Sequence, residues 1–237
     1  MEIIKLKEID STNEYAKKLI DSGKRDFIVI ADKQSKGRGR LGRVWFSDPG
    51  GLYFSIVLDN KFYEILSFIT PLSVVKALNI GAKIKFPNDV IYRDKKISGI
   101  LIERYKDKII VGVGINVENE IRGEIKDIAI SLKDIKRGVN KDEVFKRFLD
   151  EFFNYYNKFA NNDLDKEAIL KEYKKFSDTI GKRVRLILPN NEVEGLVFNI
   201  DFEGISLVTD VGLKKYPTGE IKNLRNLKEW NLNLLIL

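Results

Sequence analysis

The sequence predicts an α+β fold in which a large domain, built on a central, mostly antiparallel sheet flanked by helices, is followed by a small C-terminal β-barrel. Three observations lead there. Strand-length apolar runs between residues 84 and 117 are joined by short Asp- and Lys-rich connections, the pattern of antiparallel hairpins. Val144, Phe148, Phe152, Tyr155 and Phe159 recur at spacings of three and four, which places them on one face of a helix. After Gly181 the chain carries only short strand patterns, closely spaced and broken by turn residues, as a small barrel requires.

In chain order, the first helix signal is Asp10-Ser11-Thr12-Asn13-Glu14 ahead of Tyr15, Ala16, Leu19 and Ile20. Ser11 and Glu14 stand at the spacing of a capping box, and Gly23 marks the stop. Residues 27 to 31 read as a buried strand, 37 to 43 as a glycine- and arginine-rich loop, and 52 to 58 as a strand entered through the Pro49-Gly50-Gly51 turn. Residues 64 to 79 are helical in pattern. Strands at 84 to 86, 90 to 92, 97 to 103 and 109 to 117 form the hairpin cluster. A long helix over 142 to 160 and a second ending near Phe176 complete the first domain. Strands at 184 to 188, 193 to 200, 205 to 209, 213 to 216 and 221 to 224 make up the barrel. The boundary falls near 178 to 182, dividing residues 1–180 from 181–237.

The chain has 237 residues, 43% of them hydrophobic, enough for a sizeable core. Its first residues alternate charge with aliphatics instead of forming an apolar leader core, and no run approaches the roughly 18 apolar residues of a membrane helix, so a cytoplasmic protein with no membrane partner is expected. There is no Cys and no His, which removes disulfides, thiolate nucleophiles, Cys/His zinc sites and imidazole catalysis together. A formal charge of +7 and a pI near 9.3 favour an anionic partner without saying which.

Four segments carry candidate chemistry. Gly37-Arg38-Gly39-Arg40-Leu41-Gly42-Arg43 offers guanidinium forks for carboxylate or phosphate, and glycines that let backbone N–H groups approach an anion. With almost nothing to bury it reads as an anion-closing lid, against a plain solvated loop or an Arg-Gly nucleic-acid segment. Strand alternation at 109 to 117 puts Gly112, Gly114 and Asn116 on one face. That leaves a trough for a flat ring with an amide at its edge, although close packing of a helix on the sheet is the commoner reason for such glycines. Lys85-Phe86-Pro87-Asn88-Asp89 is followed seven residues later by Lys96, so Asp89 and Lys96 should approach each other across a short turn; a surface ion pair is the bland reading. Ser11, Thr12 and Asn13 either cap a helix or face a ligand.

Together these segments resemble the biotin protein ligase family. Residues 37 to 43 followed by Trp45 match its Gly-Arg-Gly-Arg-x-Gly-Arg-x-Trp signature, and Ser11-Thr12-Asn13 its Ser-Thr-Asn element. Residues 85 to 89 match its Lys-Trp-Pro-Asn-Asp element with Phe86 in place of Trp, 96 to 101 its Lys-hydrophobic-x-Gly-Ile-Leu strand, and 112 to 116 its Gly-x-Gly-Ile-Asn strand. The resemblance implies a catalytic domain with a mixed central sheet and an SH3-like C-terminal barrel. It implies ATP-dependent formation of biotinyl-5′-adenylate, then transfer of biotin to a lysine of a biotin carboxyl carrier protein, with ATP and Mg²⁺ required and Mg²⁺ carried mainly by phosphate oxygens rather than by a protein metal site.

It assigns biotin contacts to Ser11, Thr12, Asn13, Gln34, Arg38, Gly39, Arg40, Lys96, Gly99, Gly112 and Gly114. Adenylate contacts fall to Arg40, Arg43, Trp45, Asn88, Asp89, Lys96 and Asn116. The residue inventory makes Lys96 and Arg40 the charge-stabilising catalytic groups, and Asp89 is expected to orient Lys96 and help deprotonate the acceptor lysine. Many members carry an N-terminal DNA-binding domain; Ser11 lies too near residue 1 for one here, so repression is not expected, and homodimer formation is left open. A lipoate-protein ligase of the same fold is the nearest rival, and a non-catalytic nucleic-acid-binding protein is the rival from another class.

Overall fold

Lys108–Ile115 is buried along its whole length, which its position in the sheet explains. In the computed structural model, which describes residues 1–227, this strand is the centre of a seven-stranded sheet. Residues 228–237, the end of the expected barrel domain, lie outside the described residues. The strands are β1 (Glu2–Ile9), β2 (Phe27–Gln34), β3 (Leu52–Asp59), β4 (Lys83–Lys85), β5 (Asp89–Tyr92), β6 (Lys95–Tyr105) and β7 (Lys108–Ile115), ordered β1-β2-β3-β7-β6-β5-β4. Every neighbouring pair is antiparallel except β1 and β2, which run parallel. The sheet is therefore mixed. The β5–β6 turn is the two-residue pair Arg93-Asp94, both at positive φ, the conformation that matches the twist of a tight hairpin.

The parallel strand β1 was not among the elements expected from the sequence. Its charged residues alternate with half-buried aliphatics, as suits an edge strand, and charge along an edge discourages pairing with other chains. Helix α1 (Thr12–Asp21) connects β1 to β2 and covers one face of the sheet, packing Ala16 and Ile20 against Phe27, Val29, Val57 and Ile110.

On the opposite face lie α2 (Tyr63–Leu78) and α3 (Lys141–Ala160), with α4 (Lys166–Phe176) packed on α2. Because α2 is sandwiched, it is apolar on nearly all sides rather than amphipathic. Helix α3 starts where Asn140 Oδ1 accepts from the N–H groups of Asp142 and Glu143. It buries Val144, Phe148, Phe152 and Tyr155 of the expected stripe, leaves Phe159 half-buried and adds Phe145; Phe145 and Phe148 meet Phe54 of β3 edge-on, with ring centroids 5.0 and 4.9 Å away. Each fully buried ring of this kind contributes roughly 1.5–3 kcal/mol.

The chain divides into two compact units, Met1–Phe176 and a second beginning at Ser177. The second holds β8 (Arg183–Ile187), β9 (Glu192–Asp201), β10 (Gly204–Thr209), β11 (Gly212–Pro217) and β12 (Asn223–Asn226) in one antiparallel sheet, ordered β11-β10-β9-β8-β12. That order is open: among the described residues the pairing ends at β11 and β12, where the sequence reading expected a closed barrel.

Candidate active site

Three elements of the first unit converge on the α1 face of the sheet: the N-terminus of α1, the arginine–glycine loop after β2, and the glycines of β6 and β7. Ser11 is the N-cap of α1, yet its side chain makes no capping bond, and Glu14 engages Lys17 and Arg38 instead. The capping box expected at Ser11 and Glu14 is thus absent. The buried Ser11 hydroxyl is left unused by the helix.

Thr12 and Asn13 are committed to the protein. The Thr12 N–H and hydroxyl donate to Gln34 Oε1 at 2.8 and 3.1 Å. Gln34 Nε2 in turn donates to Ser47 Oγ at 2.8 Å, and Ser47 Oγ to the Trp45 carbonyl at 3.1 Å. Asn13 Nδ2 donates to Glu103 Oε2 at 2.8 Å, while Asn13 Oδ1 accepts from the buried Ser55 hydroxyl at 2.6 Å. A continuous polar network therefore ties α1 to β3, β6 and the loop. Its members Ser47, Ser55 and Glu103 were not singled out from sequence. The one available signal was Ser55, a lone hydroxyl inside the apolar run at 52 to 58.

The arginine–glycine segment folds back on itself. Trp45 N–H donates to the Gly37 carbonyl at 2.9 Å and Gly39 N–H to the Arg43 carbonyl at 2.7 Å, with a 3₁₀ turn at Arg40–Gly42 between them. Leu41 at the tip has φ 56° and is 61% exposed, so the segment packs little of its own apolar surface. Gly37 is required: a Cβ there would meet the Ser47 hydroxyl and the Trp45 carbonyl at overlapping distance. Arg38 pairs with Glu14 and lies 3.7 Å from Glu103. Burial lowers the Arg40 guanidinium from its ordinary value; Asp89 opposes the shift and Arg43 adds to it.

The trough expected above Gly112 and Gly114 exists as a backbone feature and is filled by protein. A Cβ on Gly112 would stand 2.9 Å from Asn13 Cγ; one on Gly114 would stand 2.6 Å from Cε2 of the Trp45 indole, and one on Gly99 2.9 Å from Trp45 Cζ3. The glycines thus admit Asn13 and Trp45 to the sheet. The Trp45 indole N–H is buried without a partner.

Lys96 and Asp89 meet as their spacing predicted, Nζ to Oδ1 at 2.7 Å, with the ammonium 5.1 Å from the Trp45 ring centroid. The Lys96 backbone is clamped by Ile128 O and Ile130 N at 2.8 and 3.0 Å. Asn88 spends its Nδ2 on the Ile100 carbonyl at 3.0 Å, which holds the turn in place. Phe86 is buried in the core. Asn116 follows β7 with its N–H on the Ile97 carbonyl and its carbonyl on the Leu132 N–H. Among the described residues no group of three or more acidic side chains could hold a metal ion, and no helix is long and apolar enough to cross a membrane.

A mixed sheet bearing a self-closed arginine–glycine loop, with a lysine–carboxylate pair beside its Trp45, is the frame of a site for an anionic ligand. Residues 6–119 match the model of the Biotin/lipoate A/B protein ligase family, and residues 179–222 that of the biotin protein ligase C-terminal domain. The bifunctional ligase/repressor BirA of Bacillus subtilis is 31% identical over 90% of this chain and 71% of its own. The acetyl-CoA-carboxylase biotin ligase of Mycobacterium tuberculosis is 30% identical over 84% and 79%. A solved structure of the Aquifex aeolicus biotin protein ligase in complex with biotin and ATP superposes with a TM-score of 0.85 at 36% identity, covering 95% of this chain and 99% of that one. The chain belongs to the biotin protein ligase family.

Proposed function

We propose that the chain activates biotin with ATP as biotinyl-5′-adenylate and transfers the biotin to a lysine of a biotin carboxyl carrier protein, working in the cytoplasm. The observation that carries this reading is the Lys96–Asp89 pair, set beside the Trp45 indole and next to Gly99 of β6. In the first step a biotin carboxylate oxygen attacks the α-phosphorus, the bond to the β-phosphate breaks, and pyrophosphate leaves. Charge moves from carboxylate to phosphate, and a fixed ammonium at Lys96 with the Arg40 and Arg43 guanidiniums stabilises it along that path. In the second step the acceptor amine attacks the acyl carbon and AMP leaves, with Asp89 placed to take the amine proton. Mg²⁺, carried on the nucleotide's phosphate oxygens, would neutralise phosphate charge. A chain without His or Cys suits chemistry that needs no protein nucleophile.

The ligand-facing groups in this reading divide into two kinds. Ser11, Arg40, Arg43, Lys96, Asn116 and the Trp45 face would touch biotin or adenylate, whereas Thr12, Asn13, Gln34 and Asn88 would shape the site through protein hydrogen bonds. Gly39 would bring its backbone close to biotin, and Gly99, Gly112 and Gly114 would lower the floor. Arg38 would reach biotin only after leaving Glu14. Biotin-dependent exchange of pyrophosphate into ATP tests the proposal. Exchange that requires biotin and ignores lipoate supports it; exchange driven by lipoate and not by biotin overturns it.

A further inference from the structure

Two buried amides sit in series at the exit of β7. Val117 N–H donates to Asn119 Oδ1 at 3.0 Å, and Asn119 Nδ2 donates to Asn116 Oδ1 at 3.1 Å. Asn116 and Asn119 are each only 4% exposed. The orientation of an amide is usually a choice between two indistinguishable flips, but here a backbone N–H settles it. That N–H can only donate, so the Asn119 atom facing it must be the oxygen. The other end of Asn119 is then its NH₂, and the Asn116 atom facing that NH₂ must in turn be an oxygen. With Asn116 N–H and C=O both held by Ile97 and Leu132, its one uncommitted polar group is the side-chain NH₂.

We propose that Asn119 is a positioning residue that locks the Asn116 amide with its N–H donors, not its oxygen, toward an acceptor atom of the bound nucleotide. The inference rests on the reading above that Asn116 faces the adenylate. Without Asn119 the amide could turn over, and half of its orientations would set oxygen against a ligand acceptor. The turn before β3 supports the arrangement from behind: Glu118 N–H donates to the Gly50 carbonyl at 2.8 Å, and Gly50, at φ 96°, lies so close that a Cβ would stand 2.8 Å from the Asn119 nitrogen. Asn119 was not among the residues singled out from sequence, because its partner is chosen by the path of the chain after the strand.

Asn119→Asp makes the test. The new carboxylate still accepts from Val117 N–H but now also wants a donor from Asn116, which turns that amide over. Pyrophosphate-exchange kinetics should show KM for ATP raised roughly 10-fold, as for a lost hydrogen bond opposed by a second acceptor, with KM for biotin within about twofold. Melting temperature should stay close to wild type. The ATP defect should shrink as pH falls, because the variant's carboxyl, once protonated, donates to Asn116 Oδ1 and restores the original orientation. Wild-type KM for ATP in Asn119→Asp at every pH, with Asn116→Ala impaired, overturns the role of Asn119. If Asn116→Ala itself leaves ATP, biotin and acceptor kinetics unchanged, it is the placement of Asn116 at the ligand that fails. Equal losses for ATP and biotin with no pH trend would mean a purely structural role and also defeat the proposal. Should Asn119→Asp not fold, Asn119→Ser, which can accept from Val117 but leaves Asn116 free to turn, must still raise KM for ATP; no change there is refutation.

Discussion

Gly114→Ala should damage the site by displacing the Trp45 indole. The added Cβ would overlap Nε1 of Trp45 and lie 2.6 Å from Cε2 and 3.0 Å from Cζ2, where ordinary contact begins near 3.4 Å, so the indole must retreat by about 1 Å or the strand must bend. β7 is the central strand, paired on both sides, so the ring gives way first. A shift of that size carries the ring off Lys96, whose ammonium now stands 5.1 Å from its centroid. Misplacement approaching 1 Å lowers adenylation by roughly 10- to 100-fold, and overpacking destabilises by about 1–3 kcal/mol. Pyrophosphate exchange and thermal melts measure both. Gly219→Ala is the control, since a Cβ there meets nothing within 4 Å. The decisive comparison is with Trp45→Ala. Once the indole is gone the extra methyl group has room, so Gly114→Ala in that background should cost less than half of what it costs alone. An equal loss of stability in both backgrounds would show that the indole is not what Gly114 accommodates.

Lys96→Gln should cut adenylation by on the order of 100-fold, comparable to losing one preorganised donor at a developing anion; a rate within threefold of wild type removes Lys96 from the chemistry. Glu103→Gln should loosen the arginine–glycine loop. Burial raises the Glu103 carboxyl, but the Asn13 and Lys17 hydrogen bonds and the Lys17 and Arg38 charges outweigh it and hold it below its ordinary value. Its contribution is therefore full above the ordinary carboxylate range and is lost as pH falls through the lowered folded value. Trypsin should cut at Arg38, Arg40 or Arg43 roughly 2- to 5-fold faster in the variant at neutral pH; an equal cleavage rate there counts against the anchoring role. Lys108→Met tests a buried cation at the far end of β7: Lys108 is 1% exposed and meets Asp59 at 2.6 Å and Asp26 at 3.2 Å. Both carboxylates are half-exposed and stay hydrated, so an apolar replacement should change stability by no more than about 1 kcal/mol at neutral pH. The Asp59 carboxyl is held low by its Lys108 hydrogen bond, so the variant should also lose less stability in acid than wild type does. Urea unfolding at neutral and acid pH reads both, and a loss above roughly 3 kcal/mol at neutral pH refutes the reasoning.

Much of the catalytic unit was legible along the chain. Period-2 and period-3.6 patterns are local properties, so β3, β5 to β7, α2 and α3 appear within a few residues of their expected spans. The pairing of Asp89 with Lys96 followed from a hairpin of known length. The signature loop could be seen as an anion site because its residue types alone carry that chemistry.

What tertiary structure alone decided lies where partners are distant in sequence or where a pattern is ambiguous. The strand β1 shows only half-buried alternation, and its parallel pairing depends on the crossover through α1. Ser11 has the spacing of a helix cap, but Glu14 is drawn away to Lys17 and Arg38, so the hydroxyl is left for another use. Two glycines on one face meant room above the sheet; that Asn13 and Trp45 fill it depends on how α1 and the loop dock. The amide relay from Val117 through Asn119 to Asn116 depends on a single turn of backbone. Local patterns encode which face of an element is buried, because that depends only on the repeat of the chain. Which side chains then meet depends on register and crossovers, and those follow from packing the whole sheet at once.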